Sequence, residues 1–194
     1  MSFLKQLQES KNCLKNVTTT VKHPDGRQFM ENRHCNVEIE RTLGFVVDTK
    51  PDNIPAKIIE NIYLGSQDCC DSEVLHKFNI EFVLSLGIEP SSLPSNVVHK
   101  FVKCLDIPET NIIEILNNEC LNFITDATSC FKNILIHCNA GVSRSSSIVI
   151  GFLMLTNKLS YTEAFSIVKS KRHCIRPNSG FEKQLRNLEL VTLL

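Results

Sequence analysis

Apolar residues after residue 53 occur in two alternating patterns, short continuous runs and longer stretches with helical spacing. The short runs predict strands, at residues 56–64 as a hairpin around Glu60-Asn61, then at 80–86, 97–105 and 133–136. The longer stretches predict helices, at residues 66–78, 111–130, 146–155, 160–172 and 178–190. Because strands alternate with helices, we expect an α/β fold with a central, mostly parallel sheet flanked by helices.

Capping signals support two of the predicted helix starts. Asn111 with Glu114, and Ser160 with Glu163, have the three-residue spacing at which a polar residue and a carboxylate satisfy the first backbone N–H groups of a helix. These pairs place the beginnings of the helices at 111–130 and 160–172.

Residues 1–53 have a different pattern, and we expect them to form an N-terminal arm. Helical spacing of Phe3, Leu4, Leu7, Leu14 and Val17 predicts a short amphipathic helix. Residues 17–21 then predict a strand, and residues 23–26 a turn into residues 27–29, which makes a hairpin. The polar, mixed stretch at 31–53 predicts a loose segment. Residues 54–194 would form the second domain.

Composition excludes some classes of protein. The chain has 194 residues, 42% of them hydrophobic, which is enough for one sizeable core with an extension. Its 21 acidic and 21 basic residues give no net charge, so we expect no nucleic-acid partner and no anionic membrane surface as partner. The longest apolar run, residues 148–155, is too short to span a bilayer.

The cysteines point to a reducing compartment. Nine cysteines without a paired framework, and no apolar signal sequence, favour reduced thiols in the cytoplasm, and in the nucleus as a second location. The pair Cys69-Cys70 has no second Cys/His pair at metal-ligand spacing, so we expect it in a helix or the core rather than at a zinc site.

The sequence HCNAGVSRS, residues 137–145, lies between the strand at 133–136 and the helix at 146–155. Backbone N–H groups converge in a loop of this kind, and the helix dipole adds positive charge, so the segment suits an anion such as phosphate. Arg144 supplies a planar fork for two phosphate oxygens. The same field favours a reactive thiolate at Cys138, and Gly141 allows a backbone angle or close approach that a side chain would block. The alternative is a buried structural cysteine beside a surface arginine.

A thiolate that displaces phosphate needs a general acid for the leaving oxygen. Asp106 is the candidate, because it follows directly on a predicted strand and precedes Pro108. An aspartate at such a position is otherwise a turn residue, and Glu109 is the local rival for the role of acid.

Three segments resemble the atypical dual-specificity phosphatases of the cysteine-dependent protein tyrosine phosphatase superfamily. They are residues 105–111 (LDIPETN), 137–145 (HCNAGVSRS) and 176–181 (RPNSGF). The resemblance implies roles for Cys138 as nucleophile, Arg144 as phosphate clamp, Asp106 as general acid and Ser145 as the hydroxyl that assists thiolate release. It also implies that His137 braces the loop and tunes the thiol, that Asn178 ties the last helix to the loop, and that phosphate contacts Asn139, Ala140, Gly141, Val142, Ser143 and Arg144. No metal or other cofactor is expected.

The same resemblance implies a protein phosphatase that hydrolyses phosphotyrosine and phosphoserine/phosphothreonine through a phosphocysteine intermediate. Apart from Arg144 the loop interior has no basic residue, which fits a singly phosphorylated side chain better than an inositol phosphate or an RNA 5′-phosphate. No rhodanese-like kinase-docking domain is expected ahead of residue 54. Stress-activated (JNK/MAP kinase) signalling is the implied setting, with pathway kinases as phosphoprotein partners. The alternative is a weakly active adaptor that binds kinases.

Overall fold

The computed structural model describes residues 19–23, 27–31, 36–41 and 52–192. The first three ranges form a small antiparallel sheet in the order β1-β2-β3, with β1 at Thr19–Lys22, β2 at Arg27–Glu31 and β3 at Asn36–Arg41. The predicted hairpin is confirmed. The prediction of a loose segment after residue 31 is wrong for β3, because Val37 and Ile39 alternate with polar residues, which is the period of a strand. The amphipathic helix predicted near the N-terminus lies outside the described residues.

The central sheet has five strands in the order β4-β5-β8-β6-β7. Only the hairpin of the first two is antiparallel, and the other neighbours run parallel. The strands are β4 (Ala56–Ile59), β5 (Ile62–Gly65), β6 (Ile80–Leu86), β7 (Val98–Val102) and β8 (Asn133–His137). The expected mostly parallel α/β fold is therefore confirmed. β7 is shorter than predicted, since the chain leaves the sheet after Val102 and turns toward Asp106.

Helices cover both faces of this sheet. They are α1 (Ser72–Lys77), α2 (Ile112–Ile115), α3 (Leu121–Ser129), α4 (Arg144–Asn157), α5 (Tyr161–Lys171) and α6 (Ser179–Thr192). A π-helical turn, Leu116–Cys120, joins α2 to α3, so the predicted helix at 111–130 is present with one wide turn. The predicted helix at 66–78 is wrong as a single element: it consists of a 3₁₀ turn, Gln67–Cys70, and α1. The break occurs at Asp71, whose side chain accepts a hydrogen bond from Glu73 N and starts a new helix.

Both predicted caps are present. Asn111 Oδ1 accepts from Glu114 N at 3.1 Å. Ser160 Oγ accepts from Glu163 N at 3.2 Å while Glu163 Oε2 accepts from Ser160 N at 2.9 Å, a complete capping box. Local sequence thus sets where these helices begin.

The core divides into two layers on either side of the central sheet. Helices α2 to α6 pack on one face, against strand residues such as Leu84, Leu86 and Ile136. On the other face, Val83 and Leu135 pack against α1 and the 3₁₀ turn. Cys69 and Cys70 are buried in this second layer, where burial raises the pKa of their thiols to about 11 and about 12, so both are protonated core residues. In the part of the chain that the structure describes, no helix is long and apolar enough to cross a membrane.

Candidate active site

The loop after β8 leads directly into the N-terminus of α4 and carries the predicted nucleophile. Cys138, Arg144 and Ser145 are all completely buried. The Cys138 Sγ lies 3.2 Å from the Ser145 Oγ. Because α4 has 14 residues and begins at Arg144, its positive end faces the loop. The structure therefore brings the thiol, the guanidinium and the serine hydroxyl together at the carboxyl end of a central strand.

The backbone carbonyls of the loop are held by groups outside it. Gln67 N donates to Asn139 O at 2.9 Å, Arg172 donates to Ala140 O at 2.9 Å and to Gly141 O at 3.0 Å, and Arg176 N donates to Val142 O at 2.8 Å. Since a trans peptide is planar, the N–H group of each following residue points the opposite way from these carbonyls. The N–H groups of residues 140–143 are thus turned to the inner side of the loop, which suits an anion.

Gly141 is required in this loop for two reasons. Its φ is +65°, in the left-handed region that favours glycine. A Cβ at this position would also overlap the carbonyl oxygen of Gly65, at the end of β5. The backbone angle and the close approach, predicted as alternatives for Gly141, are therefore both present.

Arg144 donates hydrogen bonds to described residues from one edge of its guanidinium only. Nη1 donates to Leu86 O at 3.2 Å and to Cys104 O at 3.5 Å, and Gly87 leaves the space that this nitrogen occupies. Nε and Nη2 are buried and have no hydrogen-bond partner among the described residues. These two nitrogens form the fork that binds two oxygens of a carboxylate or phosphate. A buried guanidinium with this edge unsatisfied fits a tetrahedral anion.

Asp106 reaches the same place from the loop after β7. Its Oδ1 accepts from Ser143 Oγ at 2.7 Å and from Asn178 Nδ2 at 2.8 Å. Its Oδ2 lies 3.7 Å from Arg144 Nε. Because both donors use Oδ1, a proton on this carboxyl group belongs on Oδ2, the oxygen nearer to Arg144. The rival acid, Glu109, is exposed and lines a separate groove with Ile113, Gln184 and Leu188.

The remaining predicted residues divide between the loop and its support. Ser143 was predicted to contact phosphate, but its hydroxyl donates to Asp106 and accepts from Asn178 N at 3.1 Å, which leaves its backbone N–H for an anion. Asn178 also accepts from Phe181 N at 3.0 Å and so caps α6. It therefore connects the last helix, Asp106 and the loop.

His137 is completely buried behind the nucleophile. Its Nδ1 lies 3.2 Å from Cys138 O and its Nε2 lies 2.7 Å from Ser85 Oγ. Burial lowers the pKa of this imidazole to about 4, so it is neutral at pH 7. This geometry is that of a brace for the loop rather than of a base or a cation.

Cys104 is a buried cysteine close to the predicted site residues. Burial raises the pKa of its thiol to about 12, although the positive charge of Arg144 lowers it. A cysteine surrounded in this way stays protonated and packs as a small apolar residue.

Sequence reasoning missed several supporting residues. Arg172 binds two loop carbonyls and forms an ion pair with Asp52 at the end of the arm. The Asp52 carbonyl in turn accepts from Ser66 Oγ at 2.6 Å. Ser85 and its neighbour His99 stand behind His137. Only Ser85 left a local signal, as a polar residue near the end of a buried strand.

Fold and site together are those of a cysteine-dependent phosphatase, and residues 62–190 match the dual specificity phosphatase catalytic domain. The chain belongs to the dual specificity phosphatase family and is a protein phosphatase. It is 36% identical over 192 residues to dual specificity protein phosphatase 19 of Mus musculus, covering 93% of this chain and 86% of the relative. A probable dual specificity protein phosphatase of Dictyostelium discoideum is 34% identical, covering 97% of this chain and 98% of the relative.

Solved structures agree with these similarities. A crystal structure of human tyrosine phosphatase-like serine/threonine/tyrosine-interacting protein superposes with a TM-score of 0.67 at 28% identity, covering 73% of this chain and 99% of that one. A crystal structure of DUSP15 gives the same TM-score at 29% identity, covering 72% and 90%. The resemblance to the atypical dual-specificity phosphatases is confirmed.

Proposed function

We propose that this phosphatase hydrolyses phosphotyrosine and phosphoserine/phosphothreonine in proteins through a phosphocysteine intermediate on Cys138. The observation that carries the proposal is the unsatisfied edge of Arg144, buried next to a loop whose N–H groups point inward. A phosphate dianion satisfies both sets of donors at once.

In the first step the Cys138 thiolate attacks phosphorus. The Sγ–P bond forms as the bond from phosphorus to the leaving oxygen breaks, and Arg144 with the loop N–H groups holds the remaining phosphate oxygens. Asp106 transfers the proton on its Oδ2 to the leaving oxygen, which departs as the free tyrosine, serine or threonine hydroxyl.

In the second step water attacks the phosphocysteine. The Asp106 carboxylate accepts the proton of the water, and the Sγ–P bond breaks to give inorganic phosphate and the thiolate. Ser145 Oγ, 3.2 Å from Cys138 Sγ, donates a hydrogen bond to the sulfur as negative charge returns to it. No metal or other cofactor takes part in this scheme.

We propose stress-activated (JNK/MAP) kinases as the phosphoprotein substrates, on the basis of the family resemblance and of the neutral interior of the loop. We also propose the cytoplasm, and the nucleus as a second location. The cysteines that the structure describes are all free thiols, which is consistent with a reducing compartment.

The direct test compares wild type with Cys138→Ser and Arg144→Lys on phosphotyrosine and phosphothreonine peptides. Cys138→Ser is expected to abolish turnover, because no base activates the hydroxyl. Arg144→Lys is expected to lower kcat/KM by about 10²-fold or more, because a point charge cannot replace the planar fork. Cys130→Ser and Arg186→Lys, at exposed positions on α3's end and on α6, are the matched controls. Turnover by Cys138→Ser at a tenth of the wild-type rate contradicts the mechanism.

The adaptor alternative concerns a different surface. It is favoured by the structural similarity to a human tyrosine phosphatase-like serine/threonine/tyrosine-interacting protein. Asp106→Ala protein is used to capture kinases from lysate, and the capture is repeated with orthovanadate, an anion that occupies the phosphate site. Kinases that vanadate releases are substrates, whereas kinases retained in its presence, and by Arg144→Lys, are adaptor partners.

A further inference from the structure

Three polar side chains form a row across the sheet behind the nucleophile. β7, β6 and β8 are adjacent strands in that order. His99 on β7 is in register with Val83, which lies two residues before Ser85 on β6. Ser85 is in register with His137 on β8. Residues two apart on a strand, and residues in register on neighbouring parallel strands, lie on the same face. The row of His99, Ser85 and His137 therefore runs from the edge of the sheet to its centre.

Hydrogen bonds connect the row to the nucleophile. His99 Nε2 lies 2.8 Å from Ser85 Oγ, Ser85 Oγ lies 2.7 Å from His137 Nε2, and His137 Nδ1 lies 3.2 Å from the carbonyl oxygen of Cys138. Ser85 and His137 are completely buried, whereas His99 is exposed on the edge strand. The backbone of Cys138 is thus linked through three bonds to a residue at the surface.

The direction of each bond follows from the chemistry of its partners. A carbonyl oxygen only accepts, so His137 must carry its hydrogen on Nδ1. Because burial keeps this imidazole neutral at pH 7, its Nε2 is a lone pair, and Ser85 must donate to it. The oxygen of Ser85 then accepts from His99, which donates through Nε2–H.

We propose that His99 is a positioning residue for the nucleophile. By donating to Ser85, it holds the serine hydroxyl toward His137 and so holds His137 in the Nδ1–H tautomer. That tautomer fixes the peptide between Cys138 and Asn139 with its carbonyl toward His137. This inference rests on the proposed role of Cys138 and adds a residue that contacts neither substrate nor thiol.

Removal of His99 leaves the Ser85 oxygen without its donor. The serine can then accept from His137 Nε2–H, which places the Nδ1 lone pair against the Cys138 carbonyl oxygen. Two acceptors facing each other repel, so the peptide loses its fixed orientation, and the thiolate loses part of its stabilisation. The effect does not depend on the charge of His99, because Nε2–H is present in the cation and in this neutral tautomer. Partial burial lowers the pKa of His99, and the charge of Glu89 offsets part of this effect.

The test uses the full chain and two readouts. Nitrogen-15 NMR of the imidazole rings reports the tautomer of His137, and the pH profile of kcat/KM on an aryl phosphate reports the thiolate through its acidic limb. The variants are His99→Leu, His99→Gln and Ser85→Ala. The control is His76→Leu, which removes an exposed imidazole from α1 on the same face of the sheet.

In His99→Leu we expect His137 to populate both tautomers and kcat/KM on the acidic side to fall about fivefold, the usual effect of one hydrogen bond. KM should change less than kcat, because the Arg144 fork is untouched. His99→Gln, whose amide Nε2 can donate to Ser85, should restore both readouts, and His76→Leu should match wild type.

The proposal would be overturned by a His137 tautomer and an acidic limb that are unchanged in His99→Leu. If Ser85→Ala then still changes either readout, the role belongs to Ser85 alone. The NMR readout does not require turnover, so it decides the proposal even where Cys138→Ser retains activity and the proposed function fails.

Discussion

Both side-chain donors to the Asp106 carboxyl group bond to the same oxygen. Ser143 and Asn178 both donate to Oδ1, so the proposed mechanism places the proton for the leaving group on Oδ2. Asp106→Asn keeps an oxygen for those two donors but removes the acid. We expect it to slow phosphopeptide hydrolysis by about 10²- to 10⁴-fold, and to slow hydrolysis of an activated nitro- or fluoro-substituted aryl phosphate much less, because that leaving group needs no proton.

The pH profile gives a second readout for Asp106. The limb that reports loss of the acid's proton should flatten in Asp106→Asn, while the limb set by Cys138 and the substrate should remain. Equal slowing on both substrates, with that limb intact, would make Asp106 a turn residue and Glu109 the next candidate.

His137 links the site to stability. Burial lowers its pKa from 6.5 to about 4 in the folded protein, so between these values the unfolded chain binds a proton that the folded chain does not. The contribution of neutral His137 to the free energy of unfolding is therefore complete above pH 6.5. The free energy of unfolding decreases by up to about 3 kcal/mol as the pH falls toward 4. The free energy of unfolding, measured with urea, should decrease from pH 7 to pH 5 in wild type. It should decrease less in His137→Asn. Equal decreases would contradict the assignment.

At the scale of elements, the start of α6 is a support for the acid loop. A Cβ on Gly180 would overlap the backbone of Pro108, and Asn178, two residues earlier, holds Asp106. Gly180→Ala should therefore displace the loop and reproduce the substrate dependence of Asp106→Asn in weaker form. Ser179→Ala, at an exposed position in the same turn, is the control. Wild-type kinetics for Gly180→Ala on phosphopeptides would show that the loop adjusts without cost.

The elements that sequence patterns predicted are those with a local cause. The N-cap at Asn111, the capping box at Ser160 and the buried strands β6 and β8 follow from residues within a few positions of each other. β3 was missed because charged residues obscured the alternation of Val37 and Ile39. The π-helical turn was not predictable, since its wide turn alters no apolar period that a short window detects.

At the scale of the whole molecule, the arm ends on the support of the catalytic loop. Asp52 pairs with Arg172, which also holds the carbonyls of Ala140 and Gly141. A chain that starts at residue 54 keeps β4 and every predicted catalytic residue but loses this ion pair. We expect it to fold and to cleave aryl phosphates within a few-fold of wild type, with a free energy of unfolding lower by about 1 kcal/mol than that of a chain starting at residue 51.

Asp52→Asn in the full chain separates the ion pair from the rest of the arm. It should reproduce only part of the loss of stability caused by removing residues 51–53, because the backbone carbonyl of residue 52 still accepts from Ser66 Oγ. An insoluble or inactive chain from residue 54 would instead show that the arm belongs to the catalytic core, against the predicted division at residue 53.

The same difference in scale explains what the sequence indicated about the site. Cys138, Arg144 and Ser145 lie in one continuous motif, so their types and spacing were enough to predict that they lie together. Arg172, Ser85 and His99 act on the loop from 31 to 52 residues away along the chain, and only the fold brings them there. Their positions next to the loop depend on the tertiary structure.

The measurement that tests the central claim most directly is detection of the phosphocysteine. Ser145→Ala protein is mixed with a radiolabelled phosphotyrosine peptide, quenched in alkaline denaturant within the first turnover, and digested. Because the second step loses the hydrogen bond to the departing sulfur, the intermediate should accumulate, with label on the peptide that contains Cys138 and none in Cys138→Ser. Turnover by Ser145→Ala without label at Cys138, or label that persists in Cys138→Ser, would contradict the mechanism.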